Sequence, residues 1–424
     1  LIGYDSNFTI YDETDSRSLC KNIVKTLGLD DKIYKPAEVH NRISMAKNKL
    51  ILPAQYAENT NIMVRDRQSN MDRMPAIYSM YVDNCRKSNA MDFADLLVYT
   101  FRLFHDNPEV RDKYRERYRF VLVDEYQDTN YVQQQIVWQL TGGHQHVCVV
   151  GDDAQSIYGF RGANIDNILD FQEQYDSSRM FKLEQNYRST QNIVKAANSL
   201  IKHNCRQIEK DVFSQNSEGE KLRLRVLSSD KEEAISICKD IKRAVKSEGK
   251  HYSDFAILYR TNYQSRTFEE QMLKDNIPYK IYGGMSFYQR KEIKDVIAYF
   301  RLVVNHHDEE AFRRIINYPA RGIGDTTVNK IVAGAQERNV SLWTVAQNPL
   351  AYGVEINKGT INKLSLFCQM IEGFSQRLNT DDVYELGKDI IKMSGITADI
   401  YSGTNADDTS RQENLEELVN SMQD

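Results

Sequence analysis

An α/β architecture of short parallel strands, joined to segments that are largely helical, is expected from three stretches of this chain. Phe120-Val121-Leu122-Val123 is continuously apolar, runs into Asp124-Glu125, and then into polar residues that open a helix. His146-Val147-Cys148-Val149-Val150 repeats the design and ends in Gly151-Asp152-Asp153-Ala154-Gln155. Met180-Phe181-Lys182-Leu183 does so a third time, before Glu184-Gln185-Asn186-Tyr187-Arg188. Strands covered on both faces are apolar throughout, and open α/β sheets hold ligands beyond the carboxyl ends of their strands. Three strand ends that offer an acid pair, a glutamine and an arginine suit Mg²⁺ and a phosphate ester.

In chain order, residues 1–88 read as helical and polar, with breaks at Pro36, Pro53 and Pro75. Residues 89–178 hold the first two strands. Between them, Tyr131–Leu140 has apolar residues at 132, 136, 137 and 140, a helical period suited to a right-handed crossover. The plain alternative for Asp124 and Glu125 is a helix cap with no metal. It loses ground because the second strand ends in the same way. A second α/β unit occupies residues 179–284, with Leu222-Arg223-Leu224-Arg225-Val226 alternating as a strand and Phe255-Ala256-Ile257-Leu258-Tyr259 as a buried one. From 285 to 424 the pattern is all-helical.

Size and charge narrow the classes. A chain of 424 residues corresponds to roughly two to four domains. Its six cysteines show no C-x-x-C spacing, which argues for reduced thiols and a cytoplasmic setting rather than a disulfide framework or a zinc site. No stretch has the length of an apolar membrane span, so no membrane partner is expected. The pairs His144/His146 and His306/His307 lack further ligands nearby and read as exposed loop histidines. A net charge of −5 excludes a protein that coats nucleic acid by bulk electrostatics, so any such contact is local. Three clusters are candidates: Arg111–Arg119, the helix bearing Lys239, Lys242, Arg243 and Lys246, and Arg313/Arg314 near Arg321. For the first two, a solvated helix face paired with acids is the favoured reading.

These residues strongly resemble the UvrD/Rep/PcrA group of superfamily 1 DNA helicases. Asp124–Asn130 matches the Walker B motif, Gly151–Ala163 the glutamine-bearing coupling motif, and Leu183–Thr190 the arginine motif. Met91–Leu97, Leu258–Asn262, Phe287–Asp295 and Arg321–Gly324 extend the likeness over essentially the whole chain. It implies RecA-like parallel-sheet motor domains, each partial, with helical insertion domains: 1–88 like accessory domain 1B, 89–178 like motor domain 1A, 179–284 like 2A, and 285–424 like 2B. The Gly-rich loop that such motors use to cradle phosphates, G-x-x-x-x-G-K-[ST], does not occur in the sequence. The chain is therefore expected to be a central piece of a longer helicase, inactive alone.

The resemblance implies ATP and Mg²⁺. Asp124 is assigned to the metal shell and Glu125, beside it at the metal, to the base that orients the attacking water. Gln155 suits a γ-phosphate sensor because an amide donates and accepts at once. Arg188 suits an arginine finger in cis. Tyr187 is assigned to stacking on adenine and Gln127 to the nucleotide. On the DNA side, Tyr158 and Phe160 offer faces for bases and Arg161 a cation for phosphate, as sequence-tolerant binding requires. Arg260 and Asn262 match a second strand-contacting motif. Gly322, Ile323, Gly324 and Thr326 form a turn at a helix start that suits a duplex phosphate. The chain departs from the family pattern at Phe160, where Trp is more usual, and at Ala154, where an acid is. The expected function is an ATP-dependent 3′-to-5′ DNA helicase or translocase of repair or replication restart. Its expected partners are single-stranded DNA and single-strand/duplex junctions, with repair proteins as candidates. The alternatives are a subunit of a helicase–nuclease and a non-enzymatic DNA-binding scaffold.

Overall fold

A computed structural model describes residues 1–175, 177–261, 264–282, 290–402 and 406–422. The chain divides into two compact units, Leu1–Met180 with Arg206–Ile208 and Phe287–Asp424, and Phe181–Cys205 with Glu209–Ser286. The fold is helix-rich α/β, with three small parallel sheets among the described residues. Among the described residues, no helix is long and apolar enough to cross a membrane.

In the first unit, β1 (Thr9–Tyr11) pairs in parallel with β2 (Ala90–Asp92), so a strand lies inside the stretch expected to be purely helical. The expected breaks are helix starts: Pro36 and Pro53 open Pro36–Lys47 and Pro53–Glu58, and Pro75 is the second residue of Met74–Lys87. Proline suits a first turn because its missing N–H would have no partner there and its φ is preset. β3 (Val121–Val123) and β4 (Val147–Val149) pair in parallel with Val121 opposite Val147, and the helix Tyr131–Thr141 connects them.

Four strand expectations need correction. β3 and β4 are not covered on both faces. Val121, Val123, Val147 and Val149 are half-buried, whereas Leu122 is 78% exposed and Cys148 faces outward. Met180–Leu183 forms no strand. Pairing starts instead at β5 (Gln185–Asn186), which runs parallel to β6 (Phe213–Ser214). Leu222–Val226 is exposed and unpaired. Phe255–Tyr259 is extended and one-sided: Phe255 and Ile257 pack against Cys238, Ile241, Met272 and Ile277, while Leu258 is 94% exposed. Apolar content and alternation give a segment a face, but a strand also needs a neighbouring edge to take its N–H and C=O groups. Among the described residues neither segment has one.

From 290 the first unit is helical, as expected: Lys291–Val304, Glu309–Ile315, Asp325–Arg338, Leu342–Gln347, Lys358–Ser375, Val383–Met393, Ile396–Ile400 and Ala406–Ser421. Phe312, Trp343 and Phe367 meet edge to face at its centre. His306 is no exposed loop histidine. It stacks on Trp343 at 4.5 Å, its Nε2 lies 2.8 Å from Ser375 Oγ, and burial lowers its pKa. His307 is exposed, as expected, and its N–H donates to Asn305 Oδ1 at 3.1 Å.

A polar seam joins this helical part to the first helices of the same unit. Arg301 bridges Asp15 and Asp308 at 2.7 and 2.8 Å, Lys294 pairs with Asp12 at 2.6 Å, and Asn22 Nδ2 donates to Glu310 Oε1 at 3.1 Å. Burial pushes the Glu310 carboxyl up to about 7. A carboxyl whose pKa is raised by folding stabilises the fold while protonated. That contribution is complete below the ordinary carboxylate range and is lost as pH rises through the folded value. Glu310→Gln is therefore expected to flatten the loss of stability between about pH 5 and about pH 8. Denaturant midpoints of both proteins at the two pH values check this, and equal pH slopes would remove Glu310 as the cause.

Candidate active site

The parallel register of β3 and β4 brings their carboxyl ends together, and backbone bonds close the junction. Val150 N–H donates to Val123 O at 2.8 Å and Tyr126 N–H to Val150 O at 2.9 Å. Beyond β3 the chain turns sharply, with Glu125 in the left-handed region at φ 51° and its N–H donating to Asp124 Oδ1 at 2.9 Å. Asp124 and Glu125 are both exposed.

Gln127 ties the two strand ends. It is buried, its Nε2 donates to Glu125 Oε2 at 2.7 Å, and its Oε1 accepts from Asp152 N–H at 3.0 Å. The residue expected to meet the nucleotide thus has both ends of its amide engaged, one of them orienting Glu125. The approach is so close that a Cβ on Gly151 would sit 2.5 Å from Gln127 Oε1 and 2.8 Å from Ile168 Cδ1, so a side chain here would displace Gln127 or Ile168. Asp152 caps Ala154 N–H at 3.0 Å and accepts from Gln155 Nε2 at 2.8 Å, which brings Gln155 to the acids' end of the sheet. Asp124, Glu125 and Gln155 therefore share one end, as their strand positions imply.

The chain leaves this end directly into an aromatic surface. Tyr158 and Phe160 have ring centroids 6.0 Å apart, and the Arg161 guanidinium lies 5.3 and 5.6 Å from them. Phe160 is 62% exposed, which gives an apolar ring without a core to fill. Sequence reasoning missed Asp152 and Asn167. Asp152 carried a signal, as an acid directly after a strand-end glycine. Asn167 carried none: its Nδ2 donates to Thr129 O, Thr129 Oγ1 and Asn130 O at 3.1, 3.0 and 3.1 Å, and so holds the turn after the acids.

Arg188 and Tyr187 lie in the second unit, just after β5. Asn186 Oδ1 accepts from the N–H groups of Arg188 and Ser189 at 3.0 and 2.8 Å, leaving the guanidinium exposed with no ion pair among the described residues. Tyr187 is 78% exposed, and its hydroxyl donates to Gln185 Oε1 at 3.0 Å. Arg260 N–H donates to Gln264 Oε1 at 2.9 Å, and Asn262 lies outside the described residues. In the turn of the helical part, Gly322 sits at φ 69° and Gly324 precedes the helix Asp325–Arg338, with Thr326 exposed in its first turn. Ile323 is buried in the core, and its N–H donates to Asn317 Oδ1 at 3.0 Å.

Two basic clusters prove structural. Arg321 is directed inward, donating to the carbonyls of Ile315, Tyr318, Pro319 and Ser394, while Arg314 pairs with Asp295 at 2.7 Å. Lys242 and Arg243 pair with Asp275 and Asp240, in keeping with a solvated helix face.

Models of the UvrD/REP helicase N-terminal domain and of the UvrD-like helicase C-terminal domain match residues 1–176 and 181–424. The chain belongs to the UvrD/Rep helicase family. It is 38% identical over 423 residues to an ATP-dependent DNA helicase PcrA of Staphylococcus epidermidis, and 37% identical over 418 residues to a protein of that name from Leuconostoc citreum. A Staphylococcus aureus protein, again an ATP-dependent DNA helicase PcrA, is 36% identical over 423 residues. These matches take in 99–100% of the chain, which spans 55–57% of the relatives' length.

Proposed function

We propose that the protein is an ATP-driven DNA helicase or translocase that moves 3′ to 5′ on single-stranded DNA and at single-strand/duplex junctions, in repair or replication restart and in the cytoplasm. The observation that carries this reading is the Gln127 tie between Glu125 and Asp152, because it links the acids to Gln155 and, without a break in the chain, to the Tyr158–Phe160–Arg161 surface. Family likeness supports the polarity and the RecA-like reading of residues 89–178 and 179–284 as motor halves, with 1–88 and 285–424 as insertions.

Asp124 and Glu125 fit Mg²⁺ as a cation shared with the nucleotide. They are adjacent oxygen donors at the open end of the sheet, and Mg²⁺ characteristically takes one or two carboxylates, substrate phosphates and waters. Among the described residues no cluster of three or more potential ligands offers an all-protein cage. Bound there, Mg²⁺ would neutralise charge on the β and γ phosphates. Glu125, held by Gln127, takes the proton of the attacking water and orients it. Gln155 donates its amide to the γ-phosphate and accepts from that water. Arg188 supplies the transition-state cation, and Tyr187 offers its exposed ring to adenine. Tyr158, Phe160, Arg161, Arg260 and Asn262 grip the single strand, and the Gly322–Thr326 turn meets the duplex backbone.

Steady-state phosphate release by the full-length protein, with and without single-stranded DNA, tests the reading. No phosphate release, with or without DNA, would favour the non-enzymatic DNA-binding scaffold. In the same protein, Phe160→Ala is expected to weaken single-strand binding by about 1–3 kcal/mol, the usual worth of one stacked base. Anisotropy titration with oligo(dT) measures this, and unchanged affinity would take Phe160 off the strand's path.

A further inference from the structure

We propose that the amino-terminal edge of the β3–β4 pair, at the end away from the acids, is a second contact for single-stranded DNA, built on Phe120 and His146 with the cations of residues 111–119. The inference rests on the protein's being one that handles single-stranded DNA. It adds a place where the strand is held outside the motor path.

The ring surface follows from register. Because Val121 lies opposite Val147, the residues just before them are neighbours, and Phe120 stacks on His146 with centroids 5.0 Å apart and planes 15° from parallel. His146 stacks in turn on His144 at 5.1 Å. The stack is fixed from below: His146 N–H donates to His144 Nδ1 at 3.0 Å, and His146 Nδ1 donates to Arg119 O at 3.2 Å. Phe120 is nevertheless 71% exposed, so it offers a large flat face and adds little to a core.

Cations directly precede that face in the chain. Arg117, Tyr118, Arg119 and Phe120 form an unbroken exposed run in which cations and rings alternate. The Arg117 guanidinium lies 5.6 Å from the Tyr118 ring. Arg115 donates from Nε to Gln139 O at 2.6 Å, and its guanidinium runs past Gly142 and Gly143 along the same edge. Arg111 and Arg115 share Asp112, as a salt-bridged face would, but Lys113, Arg117 and Arg119 enter no ion pair among the described residues. Residues 111–119 hold five cations against two acids in a chain of net charge −5. The helix Pro108–Arg117 buries none of its residues, so packing does not account for this local surplus.

A ring face with unpaired cations beside it matches a base stacked on Phe120 and its flanking phosphates on Arg117 and Arg119, a binding mode tolerant of sequence and sensitive to salt. Glu125 follows Phe120 by five residues, about 16 Å along an extended chain, so a strand here leaves the acids free. It is also separate from the Tyr158–Phe160 surface, which follows the opposite end of β4.

Photocrosslinking the full-length protein to oligo(dT) carrying 4-thiothymidine is expected to label Tyr118, Phe120 or His146 in addition to Tyr158 or Phe160. Label at 158–160 alone would overturn this proposal and leave the helicase reading intact. No label at either place would overturn both. Phe120→Ala is expected to weaken binding of a long oligo(dT) by roughly 5- to 100-fold, with Phe120→Trp restoring it. Arg117→Glu combined with Arg119→Glu, which alters surface residues only, is expected to lower the slope of log affinity against log salt by about 0.7 for each phosphate that is no longer neutralised. Wild-type affinity and slope in these variants would refute the proposed site.

Discussion

In the full-length protein, Arg188→Ala is expected to slow ATP turnover by roughly 10³-fold or more while ATP binding falls far less. Asn186 fixes the backbone at this position through two N–H bonds, and the guanidinium is exposed, with no ion pair among the described residues to hold it back from a ligand. A planar fork of donors matches the oxygens of a phosphoryl group in flight and stays charged at any working pH. A cation that engages when charge develops lowers the barrier more than it tightens the ground state. Turnover and equilibrium nucleotide binding, measured side by side, check the assignment: an equal fall in both would make Arg188 a ground-state binder. Arg188→Lys is expected to recover only part of the rate, since an ammonium keeps the charge but not the fork.

The second large effect is expected at Glu125, where Gln should reduce the rate of hydrolysis by about 10²- to 10⁴-fold, the range for loss of a general base. The substitution suits the test because the local structure tolerates it. Glutamine has the same length, and its side-chain oxygen can still accept from Gln127 Nε2, the bond that orients residue 125. A lost rate then reports lost proton acceptance rather than a displaced turn. Single-turnover phosphate release with saturating DNA separates the chemical step from product release. A wild-type rate there would mean that another group orients the water.

The strand-end positions of both residues were legible because their signals are local. An acid pair after an apolar run, a glutamine after a second run and an arginine a few residues beyond a third are residue types at strand ends. The in-register pairing of β3 with β4 then places the first two together. Breaks at Pro36, Pro53 and Pro75 were legible for a similar reason, since proline acts on its own φ and its own missing N–H, and the structure makes each a helix start. Gln127 shows where local signals stop. Its place in the motif suggested a nucleotide contact, but its amide bridges Glu125 and Asp152, a pairing that arises only when two strands distant in the chain meet.

Residue chemistry and spacing were thus enough to mark the strand-end acids, the helical stretch beyond residue 290 and the family likeness. Tertiary structure decided burial and partnership, which depend on residues distant in sequence. Phe120–Val123 reads as a strand covered on both faces, yet Leu122 is exposed, because apolarity states what a segment tolerates and packing decides what covers it. Leu222–Val226 alternates like a strand and finds no edge among the described residues, because a ladder requires a second chain segment to share its hydrogen bonds. Arginines of equal charge likewise part ways: Arg321 is held by four backbone carbonyls, whereas Arg117 and Arg119 stand in solvent without an ion partner among the described residues. A guanidinium's charge is set by its own chemistry, but its availability to a ligand is set by the groups that the fold brings within hydrogen-bonding reach.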